Sequence, residues 1–161
     1  MRLFVTEFAE KKLEIERKLS SHSAEIIEHL MKILVLPNHE SVNHWKKEVF
    51  SHLHIIDNLK GSHKLPTAKQ IMDWTYYKHY EWLQDRNCIK AFFNDLLYDY
   101  GIDDLNIGFS YYVDKIYSVA DSYCKEYFQW LADNLSKYKR ISNQDIYAEI
   151  DKLTEKYSLW D

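Results

Sequence analysis

At 161 residues and 46% hydrophobic content, the chain is long enough for one domain with a real core and too apolar to remain disordered. With 3 glycines and 2 prolines, against ordinary usage of roughly 7% and 5%, it lacks the turn residues that an all-β fold needs. The net charge is -4, with Lys/Arg against Asp/Glu at nine to nine in residues 1–60, five to five in 61–100 and seven to eleven in 101–161, so no basic stripe exists for phosphate neutralisation and direct nucleic-acid binding is not expected.

Residues 2–36 read as one long helix, because Phe4, Phe8, Ile15, Leu19, Ile26, Leu30 and Ile33 recur at helical spacing. Pro37 and the polar residues 38–41 stop it. Val42, Trp45, Val49, Leu53 and Ile56 form a second stripe that ends near Gly61, where a left-handed cap costs little. The short connection predicts an antiparallel hairpin of helices. A third helix is expected from Leu65-Pro66-Thr67, carrying Ile71, Trp74, Tyr77 and Trp82. Asp85-Arg86-Asn87 interrupts it, and Ile89, Phe92, Phe93, Leu96 and Leu97 continue in helical register to Gly101. Residues 102–108 read as a loop.

The strongest pattern covers 109–138, where Phe109, Tyr112, Val113, Ile116, Ala120, Tyr123, Tyr127, Leu131 and Leu135 make one continuous stripe. Ser142 with Asp145 three residues later resembles a capping box and predicts a last helix to about Tyr157. The expected fold is all-α, a single-domain helical bundle of five to six helices over residues 1–161. No apolar run approaches ~18 residues and no charged-then-apolar leader opens the chain, so a cytoplasmic protein with no membrane contact is expected. Cys88 and Cys124 form no CxxC pair and read as two buried thiols in a reducing compartment.

All eight histidines lie between His22 and His79, and all thirteen tyrosines between Tyr76 and Tyr157. On the first helix His22, Glu25 and His29 share a face, and on the second His44, Glu48 and His52 do. A hairpin turning near residue 39 makes positions summing to about 78 neighbours. That places His29, Glu48 and His52 together, with Glu25 or His22 beside them, as the candidate ligands of a divalent metal. The Glu-x-x-His pairs of a di-iron bundle are absent, so hydrogen-bonded core histidines are the competing expectation.

Arg17 and His22 stand at the Arg-x4-His spacing of HEPN-type ribonucleases, which this chain also resembles in size and helicity. That resemblance implies metal-independent RNA cleavage by Arg17 and His22. No glycine-rich loop precedes a helix and no Gly-x-Ser-x-Gly occurs, so phosphate cradling and a serine elbow are excluded.

The second half is built for contact. Tyr111 and Tyr117 fall off the core stripe of 109–138, with Phe128 and Trp130 on its flanks and Asp114 and Asp121 at the rim. Aromatic residues with an acidic border suit a basic protein partner. The expected function is a non-enzymatic protein-binding module, such as a small inhibitor, immunity or regulatory adaptor protein. Homodimerisation through the same face is the alternative use of that surface, and the metal site or a HEPN-like ribonuclease the alternative function.

Overall fold

The computed structural model describes residues 2–60, 72–73, 76, 80–102, 108–136 and 141–160, with side chains at 17–18, 20–53, 72–73, 76, 80–102, 108–134 and 141–160. Among these residues there are five α-helices and no strand: α1 (Arg2–Val35), α2 (Val42–Lys60), α3 (Arg86–Asp99), α4 (Phe109–Ser136) and α5 (Asn143–Lys156). A 3₁₀ turn, Tyr80–Gln84, precedes α3. The fold is an all-α helical bundle, as the hydrophobic periodicity predicts.

Apolar spacing and local capping explain each element. In the α1–α2 hairpin the turn is tightened by His39 N–H donating to the Leu36 carbonyl and Val42 N–H to that of His39, both at 3.2 Å. Ile26, Leu30, Ile33 and Leu34 of α1 enter the same core as Trp45, Val49 and Leu53 of α2. The Asp85 carboxylate caps α3 by accepting from the backbone N–H of Asn87 at 2.9 Å, which satisfies a donor that has no partner within the helix. At the far end Gly101, with φ 62°, reverses the chain, and Ile102 N–H returns to the Leu97 carbonyl at 2.9 Å. The capping box at Ser142 and Asp145 is present and starts α5.

Helix α4 is the central element, packing against α1, α3, α5 and the 3₁₀ turn. It buries Val113, Ile116, Ala120, Tyr123, Cys124, Tyr127, Phe128, Leu131 and Ala132, and each large apolar side chain removed from water contributes about 1.5–3 kcal/mol. The chain beyond α5 is tied down as well. Leu159 is buried, Lys115 Nζ donates to its carbonyl at 3.1 Å, and Trp160 Nε1–H donates to the Val35 carbonyl at 2.9 Å. That last bond satisfies one of the free carbonyls at the end of α1.

Two expectations are corrected. Residues 80–84 form a 3₁₀ turn where the end of the third α-helix was expected, while the expected interruption is present at extended Asp85 (φ -108°, ψ 112°), which starts a new helix. Cys88 is exposed while Cys124 is buried. The expectation of two buried thiols fails at Cys88, which sits on the solvent side of α3 while Ile89 and Phe93 face the core. The predicted helix start at Leu65-Pro66-Thr67, with Ile71, Trp74 and Tyr77, the cap at Gly61 and most of the 102–108 loop lie outside the described residues. No helix among the described residues is long and apolar enough to cross a membrane.

Candidate functional site

The predicted contact residues on α4 do not all reach solvent. Phe128 is fully buried, which corrects its assignment to a contact surface: the Tyr76 ring packs on it at 6.1 Å. Tyr76 arrives from a separate segment, so the periodicity of α4 gave no sign of the cover. Asp121 is half-buried and accepts from the Tyr76 hydroxyl and, at 3.3 Å, from Gln84 Nε2. Burial holds its carboxyl above the usual range, opposed by Lys125. Trp130 is half-buried against Tyr127 at 5.9 Å. Asp114 reaches across to Arg86 of α3 at 2.7 Å. Tyr111 and Tyr117 are exposed as expected, at 47% and 41%. From Ser118 onward the outer strip of α4 carries Ser122, Lys125, Gln129 and Asp133 and offers little apolar area.

The continuous aromatic surface lies instead at one end of the bundle. Tyr111 meets Tyr112 at 5.6 Å, and Tyr112 meets Trp160 at 4.6 Å. Trp160, itself 37% exposed, lines a shallow cavity of about 200 Å³ with Val35, Leu36, Pro37, Asn38 and His39. His39 stacks on Trp45 at 5.3 Å and takes the edge of Tyr100 at 4.8 Å. Its Nδ1 accepts from the Ser41 backbone N–H at 3.0 Å, which fixes the ring's orientation. Lys115 Nζ lies over the Tyr111 ring at 5.1 Å, a cation–π contact. Sequence reasoning missed Trp160 and His39. The only signal was a Leu-Trp pair following the last helix in an otherwise polar terminus.

The hairpin brings three of the histidines together. His22 Nδ1 and His52 Nδ1 are 2.8 Å apart, and the His29 and His52 ring centroids are 6.3 Å apart. The pairs 22/52 and 29/52 sum to 74 and 81, bracketing the predicted 78. His29 Nδ1–H donates to the Glu25 carbonyl at 2.7 Å. Glu48 stands between His52 and His44, with carboxylate oxygens 3.7 and 3.9 Å from their Nε2 atoms. Arg17 is exposed, while the His22 ring turns towards α2. Among the described residues no group of three or more His, Cys, Asp or Glu is placed so that it could hold a metal ion.

Burial lowers the His22 pKa from its ordinary 6.5, with His52 and Lys18 adding to the effect and Glu25 opposing it. The unfolded chain therefore takes up this proton before the folded chain does as acid is added. The His22 contribution is complete above pH 6.5 and is lost as the pH falls from there through the folded-state value. The melting temperature is expected to drop between about pH 7.5 and about pH 5, with a shallower slope in His22→Gln. Parallel slopes in the two proteins would contradict this assignment.

In comparisons with known proteins the chain matches no protein family, no curated protein and no solved structure.

Proposed function

We propose that this protein is a non-enzymatic binding module whose contact surface is the aromatic end of the bundle, centred on Trp160, Tyr112 and Tyr111. The observation that carries the proposal is the succession of three rings joined by two contacts, with two of the rings partly open to solvent, beside the cavity at residues 35–39. Aromatic side chains are enriched in interface cores, where they bury a large area at low entropic cost. The cavity, at about 200 Å³, is smaller than the ~300–1,000 Å³ of ordinary small-molecule sites. It suits one apolar side chain of a protein partner better than a substrate. The surplus of acidic residues in 101–161 favours a basic partner, as an inhibitor or regulatory adaptor of a basic protein would need.

The test is comparative capture from native host lysate on immobilised wild type, a Tyr111→Ala/Trp160→Ala double variant and Lys152→Ala, a control on α5. Wild type and the control are expected to retain the same protein in stoichiometric amount, and the double variant at least ~10-fold less, as removal of interface anchors requires. Equal retention by all three would reject the aromatic end as the contact surface. Retention of no protein at all would reject the binding function.

A further inference from the structure

We propose that His22 and His52 form a proton-operated joint between α1 and α2, closed while the rings share one hydrogen and opened when each Nδ1 carries its own. The joint is separate from the aromatic end and does not rest on the binding function. Its basis is the head-on contact of the two Nδ1 atoms at 2.8 Å, a distance that admits a single hydrogen between them. A hydrogen on each nitrogen would leave the two about 0.8 Å apart. The pair would then have two donors and no acceptor, and the rings must part.

The surroundings set the order of events. The Glu48 carboxylate, 3.7 Å from His52 Nε2, favours a proton on that nitrogen and leaves the His52 Nδ1 lone pair to accept from His22 Nδ1–H. His29 has committed its own Nδ1–H to the Glu25 carbonyl, so its ring, 6.3 Å from that of His52, does not compete for the shared hydrogen. The first proton added to the pair enters at His22 Nε2, the one lone pair not already engaged. Both Nε2 atoms then carry hydrogen, and the bridge survives as a charge-assisted bond. The second proton has only the bridging lone pair to occupy, and the bridge is lost. The contact tolerates one positive charge and fails at two.

Burial and like charge both oppose that second proton. Burial lowers the His22 pKa, His52 and Lys18 add to the effect, and Glu25 opposes it. Among the described residues these are the charged groups acting on His22, and none belongs to α4 or α5. On the His52 side stand Glu48, shared with His44 at 3.9 Å, and the His29 ring. The joint is therefore closed above the ordinary histidine value of 6.5 and opens as the pH falls through the lower folded-state value. Both rings are half-buried, so solvent delivers the proton and a ring rotation suffices to open the contact. Ile26, Leu30, Val49 and Leu53 stay in the core beside it, which keeps the hairpin packed while the joint opens.

The test is NMR of the full chain with isotope-labelled histidine nitrogens, followed through an acid titration. A scalar coupling between the two Nδ1 nuclei across the shared hydrogen reports the closed joint directly. The coupling is expected at about pH 7.5, where histidines are largely neutral. It should survive the first proton and vanish with the second, the two steps lying about one pH unit or more apart. In His52→Gln, which removes the like charge, the His22 midpoint is expected to move upward by about one pH unit. His44→Gln, outside the pair, leaves the coupling and both steps in place. Circular dichroism checks that each variant is folded, and the wild-type coupling decides by itself if His52→Gln is not. Absence of the coupling near neutral pH, its loss at the first proton, its persistence after the second, or an unmoved His22 midpoint in folded His52→Gln overturns the proposal.

Discussion

Phe128→Ala is expected to lower the unfolding free energy by about 3–5 kcal/mol, the ordinary cost of emptying a buried aromatic site. The ring is fully buried, with Tyr76 at 6.1 Å and Tyr127 at 5.5 Å. Both neighbours are large and held by their own contacts, so the space would refill poorly. Tyr76 is anchored to Asp121 through its hydroxyl, which limits its collapse into the gap. Denaturant unfolding followed by circular dichroism measures the change. A loss within about 0.5 kcal/mol, typical of a surface position, would return Phe128 to the contact surface that the sequence suggested.

Trp45→Ala carries a similar expected loss of about 3–5 kcal/mol. Trp45 is 2% exposed and packs in the core beside the hairpin turn. One face carries the His39 ring at 5.3 Å, and Tyr100, from the end of α3, meets it edge-on at 5.3 Å. The Trp45–Tyr100 pair is expected to add about 0.5–1.5 kcal/mol beyond burial. A double-mutant cycle with Tyr100→Ala isolates that coupling. Strict additivity of the two losses would show that the rings share a site without supporting one another.

Much of the fold was legible because it depends on local periodicity. The α1 and α5 boundaries follow from Pro37 and from the Ser142–Asp145 box, each acting within one turn of its own sequence. The histidine contact was legible too, since the short turn fixes the hairpin register and the register alone places His52 between His22 and His29. The fate of the α4 flanks was not. Whether Phe128 faces solvent depends on Tyr76, and Asp121 is held by Tyr76 and Gln84, both distant in sequence. Amphipathic spacing identifies the most apolar face of a helix but not how many neighbours surround it. The aromatic end was hidden for the same reason. Trp160 gains its meaning from a hydrogen bond to Val35, at the opposite end of the chain.

The acidic residues of α4 also show what composition alone leaves out. Acidic residues along α4 suggested an open rim, yet Asp114 pairs with Arg86 and Glu126 with Lys156, each at 2.7 Å. Exposed pairs of this kind contribute about 0–1 kcal/mol to stability, but they neutralise charge that a partner would otherwise meet. Where α4 begins, exposed Tyr111 continues through Tyr112 to Trp160.

The most direct measurement is the affinity of the captured partner for Tyr111→Ala and Tyr117→Ala, compared with wild type by titration calorimetry. Both tyrosines are exposed to similar degrees on α4, but only Tyr111 continues through Tyr112 to Trp160. The account predicts at least ~10-fold weaker binding for Tyr111→Ala and little change for Tyr117→Ala. Loss of binding in Tyr117→Ala with Tyr111→Ala unaffected would contradict it.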